Sequence, residues 1–283
     1  MLAVSFVRGL GFGLCGVVTG ALTATLLPPG RRGEGLGLLG IVSGVPAVIA
    51  LPAGVWLAGH HLATAAAAMA AAAGLLPLTT VRWLPGRGQA HRTPSAARTR
   101  RAPGAALRLS LIFAACTIAA GVLDSFLPLA NGVSSNLCSA ALLVAAITAT
   151  LSRWQAGRHG DGHGHARLLI PALIVAALGM AAMMWLASPE LIFASMVLFG
   201  AGFGVIENAT FALLIEQLPE AKASTVWNLA YDAGYGAGPA VFGLFAGRTG
   251  YPAAFALTGL LVLAALPAAR HEQKAAASAA RPV

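Results

Sequence analysis

The chain has 283 residues, of which 58% are hydrophobic and 10% charged, and its mean hydropathy is +0.78. Soluble domains carry about 25% charged residues to keep their surfaces hydrated, so this composition excludes a water-facing globule and requires that most of the surface meet lipid. The net charge of +9 does not point to nucleic acid, because the basic residues sit in short loops between apolar runs and not on one face.

Taking ~20 apolar residues as the length of a spanning helix, the sequence predicts an all-α polytopic membrane protein with about nine transmembrane segments. In chain order they fall at about 3–28, 36–58, 62–82, 107–129, 135–155, 168–187, 191–215, 223–246 and 252–269. The N-terminus has no basic region and no cleavage site, so the first segment is expected to stay in the protein. The stretch 85–106, PGRGQAHRTPSAARTRRAPGAA, is rich in Pro, Gly, Arg and Ser and reads as a flexible cytoplasmic linker. It divides a three-helix block, 1–84, from a six-helix block, 107–270, with a cytoplasmic tail at 271–283.

Sidedness follows from Lys and Arg. Arg31 and Arg32 follow the first segment, seven arginines from Arg82 to Arg108 the third, Arg153, Arg158 and Arg167 the fifth, Lys222 the seventh, and Arg270, Lys274 and Arg281 the ninth. Loops after the even segments are nearly free of basic residues, with Arg248 the exception. That alternation places the N-terminus outside and the C-terminus in the cytoplasm.

A charge at the centre of a spanning helix costs about 2.5–3.5 kcal/mol on insertion scales, which makes Arg8, Asp124, Glu207 and Asp232 the candidate sites. Each is expected to face the bundle interior or a water-filled cavity. A carboxylate whose surroundings alternate between water and a buried cation takes up and releases a proton, and Asp124 and Asp232 are the preferred carriers, with Glu207 close behind. Arg8 can pair with one of them or hold an anionic group. The bland alternatives are a fixed ion pair and a side chain snorkelling to the interface. Asn208, Asn228 and Tyr231 flank the acids and suit either substrate hydrogen bonding or interhelical contact.

Other residues carry less. Cys15, Cys116 and Cys138 read as small buried hydrophobes; His159, His163 and His165 read as an exposed polar loop, with no metal site; Trp56, Trp83, Trp154 and Trp185 read as interface anchors. The chain contains no GxSxG or HExxH pattern, so no enzyme activity and no cofactor are predicted.

Five passages resemble transporters of the major facilitator superfamily, in the bacterial drug and sugar efflux-like group. Phe6-Val7-Arg8-Gly9-Leu10-Gly11-Phe12-Gly13 resembles that family's fourth helix, and Pro28-Pro29-Gly30-Arg31-Arg32-Gly33-Glu34-Gly35-Leu36-Gly37 the cytoplasmic turn after it. Arg153-Trp154-Gln155-Ala156-Gly157-Arg158 through Asp161 and Gly164 resembles the second copy of the GxxxD loop. Gly202–Thr210 and Trp227–Gly234 are similar to the tenth and eleventh helices. The resemblance implies a bundle matching helices four to twelve, with no counterpart of the first three. It further implies proton-coupled efflux of a small molecule across a bacterial plasma membrane, with protons, lipid and that molecule as partners. Arg31, Arg32, Gly157, Arg158 and Asp161 would form a cytoplasmic gate. The alternative is a truncated fragment that transports nothing.

Overall fold

A computed structural model describes residues 2–27, 31–59, 62–79, 104–130, 133–185 and 188–279, and leaves the side chains of residues 2–8, of Arg32 and of some further residues in α1, α2 and α3 and the turn after it outside that description. Most of the expected linker, Trp83 and the last four residues likewise lie outside the described residues. What is described is helix joined by short turns. The helices are α1 (Leu2–Leu26), α2 (Arg32–Gly59), α3 (Ala63–Leu75), α4 (Ala105–Phe126), α5 (Ser135–His163), α6 (Leu169–Ala182), α7 (Pro189–Gln217), α8 (Glu220–Thr249), α9 (Tyr251–Leu263) and α10 (Leu266–Ala279).

Local chemistry sets several of these boundaries. The hydroxyls of Ser134 and Ser188 accept from the backbone N–H groups of Leu137 and Leu191, capping α5 and α7, and Pro189 stands at the first turn of α7. The chain leaves α5 at Gly164 (φ 90°) and α8 at Gly250 (φ 78°), backbone angles that glycine adopts without strain.

Among the described residues, five stretches are long and apolar enough to cross a membrane: Ala105–Leu129, Ser135–His163, His165–Ala182, Pro189–Gln217 and Tyr251–Ser278. Gly9–Ala24 and Thr64–Leu75 are shorter apolar helices. The chain is thus an all-α polytopic membrane protein. Outward faces carry apolar side chains at one-turn spacing, such as Leu10, Leu14, Val18 and Leu22 on α1 and Leu38, Val42, Val45 and Ile49 on α2, as a hydrocarbon solvent requires.

With no hydrophobic gain from leaving lipid, spanning helices associate through close backbone packing. The α2–α5 crossing shows how. Gly33, Gly37, Gly40 and Gly44 line one face of α2 at helical spacing, and α5 runs antiparallel across them. A Cβ on Gly37 would lie 2.8 Å from the Trp154 Cα, and one on Gly44 2.5 Å from the Thr150 hydroxyl. At the end of the crossing Gly33 meets Gly157, where a Cβ on Gly33 would sit 2.7 Å from the Gly157 carbonyl. Only hydrogen fits between the two helices there.

Three findings differ from the sequence reading. First, α5 continues to His163, so the passage from Gly157 to Asp161 forms its last turns and not a loop. Second, His165 is buried at 6% exposure, whereas His159 and His163 stack on each other with ring centroids 4.3 Å apart on the surface. Third, most of the segment read as a tail is helix. Along α10, Ala269 and Glu272 turn inward, and Glu272, at 1% exposure, takes the Arg108 guanidinium at 2.6 Å. This pair ties α10 to the start of α4.

Candidate functional site

Between α1 and α2 on one side and α5, α7 and α8 on the other lies a cavity of about 480 Å³. Its two walls differ in character. Helices α1 and α2 contribute small and hydroxyl residues, including Cys15, Gly16, Thr19, Gly40 and Ser43. Helices α5, α7 and α8 contribute Arg153, Glu207, Phe211, Trp227, Asn228 and Tyr231.

The charged centre is an ion pair. Arg153 Nη1 donates to Glu207 Oε1 at 2.6 Å, with side-chain exposures of 11% and 13%. The Arg153 guanidinium carbon also lies 5.9 Å from the centre of the Trp227 ring, within cation–π range. Trp227 is itself fixed: its indole N–H donates to Thr210 Oγ1 at 3.3 Å, and its ring stacks on Phe113 at 4.5 Å. Arg153 lies about three turns before the end of α5. Its Nε is buried without an acceptor among the described residues.

The candidate residues from the sequence separate into three places. Glu207, Asn228 and Tyr231 line the cavity. Asn228 sits at the α1 contact and donates from Nδ2 to the Ser224 carbonyl at 2.8 Å. Asp124 lies elsewhere, between α4 and α8, where the Tyr235 hydroxyl donates to its Oδ2. Asp232, expected to face the interior, is instead exposed on α8 and does not line the cavity. It follows Tyr231 by one residue and is therefore rotated by about 100° away from that side chain. The side chain of Arg8 lies outside the described residues.

The gate candidates form a second centre at one end of the α2–α5 crossing. Both Asp161 oxygens accept from the N-terminal turn of α2: Oδ1 from the Gly33 N–H and Oδ2 from the Glu34 N–H, each at 2.8 Å. A carboxylate in that position satisfies two otherwise unpaired amides and complements the positive end of the helix dipole. Asn208, fully buried, belongs here and not to the cavity, since its Nδ2 donates to the Gly33 carbonyl at 3.2 Å. His165 lies behind Asp161, with Nε2 3.9 Å from its Oδ1. Of the remaining gate residues, Gly157 forms the crossing described above, Arg158 lies over Trp154 at 5.1 Å and Arg31 pairs with Glu34 at 2.8 Å on the surface.

A family profile described as Major Facilitator Superfamily matches residues 1–230 and, in a second overlapping alignment, 109–282. The chain belongs to the Major Facilitator Superfamily. Comparison with curated proteins finds no match. Members of this superfamily are membrane transporters, so this chain is read as one.

Sequence reasoning missed Arg153, Trp227 and Cys15. Arg153 was counted with the basic loop residues because the fifth segment was expected to end near residue 155. Cys15 is exposed and lines the cavity, unlike the buried Cys116 and Cys138. The row of Gly33, Gly37, Gly40 and Gly44 marked a close helix crossing, but nothing in the sequence singled out Arg153 as the side chain that lies against Gly40.

Proposed function

We propose that the chain is a proton-coupled secondary transporter that exports a small molecule through this cavity, with Glu207 as the carboxylate that exchanges the proton and Arg153 as its countercharge. The observation that carries this reading is the Arg153–Glu207 pair, nearly closed to solvent yet lining a cavity that two groups of helices share. Protonating Glu207 would release Arg153 and change the charge seen by anything in the cavity, so proton occupancy and substrate occupancy become linked. Asp161, bridging α5 to the first turn of α2, supports a gate at that end, because opening the cavity there requires the two helices to part.

The distribution of arginine and lysine supports a cytoplasmic position for this gate and for α10, and the resemblance to bacterial efflux transporters supports a bacterial plasma membrane as the location. The test is flux in proteoliposomes made from the purified full chain, using a panel of small amphipathic molecules. Flux that follows an imposed pH gradient and collapses when a protonophore is added supports the coupling. Flux that ignores the gradient removes it.

A further inference from the structure

We infer that the cavity takes a planar organic cation, an amidinium, guanidinium or protonated arylamine on an aromatic body, and that Arg153 occupies the place of that cation when the cavity is empty of ligand. This inference rests on the reading that the cavity is the substrate site.

The guanidinium of Arg153 is held by two groups that do not depend on its being part of the chain. Glu207 supplies a carboxylate at 2.6 Å and Trp227 an indole face at 5.9 Å. A carboxylate beside an aromatic face is the combination that recognises a flat cation, by a charge-assisted hydrogen bond and by attraction to the ring quadrupole. Arg153 fills this place imperfectly, because its buried Nε finds no acceptor among the described residues. An unmatched buried donor is a cost that a ligand without it avoids, so Arg153 is a displaceable occupant.

The rest of the cavity fits a flat body attached to the cation. Phe211 and Tyr231 extend the aromatic wall beside Trp227, while Gly16, Gly20 and Gly44 leave the opposite wall smooth. Its volume of about 480 Å³ is within the range of about 300–1,000 Å³ for small-molecule sites. Gly40 has a particular part: a Cβ there would come within 2.5 Å of the Arg153 Nε, so glycine makes the room in which this side chain lies against α2. An organic anion is the opposite case. It would meet the Glu207 carboxylate and the electron-rich face of Trp227, both of which repel negative charge.

Benzamidine and benzoate separate the two cases, being nearly the same shape with opposite charge. Binding of each to the purified full chain in detergent is measured by calorimetry at neutral pH. Saturable binding of benzamidine with none of benzoate is expected. Glu207→Gln should weaken benzamidine by about tenfold or more, because the charged partner is lost. Arg153→Met should tighten it by about tenfold, because an internal competitor is removed and the competent state becomes the populated one. Binding of benzoate in place of benzamidine, no binding of benzamidine, or weaker benzamidine binding by a folded Arg153→Met protein would each overturn the inference. If Arg153→Met fails to fold, Arg153→Gln replaces it, and if both fail the benzamidine–benzoate comparison on the wild type decides alone. Because this binding needs no gradient, it is independent of the flux test. Gradient-driven flux of other molecules without benzamidine binding sinks the ligand class only, and benzamidine binding without gradient-driven flux sinks the proton coupling only.

Discussion

Asp161 on α5 and Gly33 on α2 are 128 positions apart in sequence, yet the carboxylate of one accepts the backbone N–H of the other at 2.8 Å, with Glu34 N–H on the second oxygen at the same distance. Hydrogen bonds to charged groups contribute about 1.5–3 kcal/mol each way of counting, enough to bias a two-state gate by tenfold or more. Asp161→Asn keeps the shape and removes the charge and one acceptor. The expected result is faster reaction of Cys15 with a membrane-impermeant maleimide supplied from the α2 N-terminal side, by about tenfold. Cys116 and Cys138 are buried, so labelling reports Cys15. An unchanged rate would show that Asp161 does not hold the gate.

The glycine crossing predicts a steric result of the opposite kind. Gly37→Ala places a methyl 2.8 Å from the Trp154 Cα, whereas a Cβ on Gly162 meets nothing within 4 Å. Overpacking costs about 1–3 kcal/mol, so Gly37→Ala should lower the midpoint of thermal unfolding by several degrees, while Gly162→Ala, helical and free of any clash, should keep or raise it. Equal midpoints would mean that α2 and α5 do not approach as closely as described.

Arg108 and Glu272 form a buried pair at 2.6 Å, with the carboxylate at 1% exposure. Removing one member of a buried pair costs about 3–5 kcal/mol, whereas removing both is far milder. Arg108→Ala should therefore destabilise the protein more than the double substitution Arg108→Ala with Glu272→Ala, measured by unfolding in detergent. A double variant less stable than either single one would refute the pairing.

The helices and the family were legible in the sequence because both depend on properties that survive without a third dimension. Runs of apolar residues mark the spans, and short passages such as Arg153 through Asp161 mark the family. The site was legible only in part. Glu207 and Asp232 look alike in sequence, each an acid in an apolar helix, and what separates them is rotation. Glu207 turns to Arg153, while Asp232 turns outward from the face that carries Trp227 and Tyr231. The α7 and α8 sequences are too evenly apolar for their polar faces to be assigned without neighbours. Arg153 was hidden by a different cause, a boundary error of two turns at the end of α5, which converted a buried ion-pair partner into an apparent loop residue. His165 was misjudged for a similar reason, since its polar Gly-rich surroundings gave no sign that α7 and the start of α2 close over it.

The position of the coupling charge is the centre of the account. Gradient-driven flux in proteoliposomes should be compared for the wild type, Glu207→Gln and Asp232→Asn at equal amounts of inserted protein. Glu207→Gln should lose the response to an imposed pH gradient, by about tenfold or more, and Asp232→Asn should keep it. Retained coupling in Glu207→Gln, or its loss in Asp232→Asn alone, would contradict the assignment.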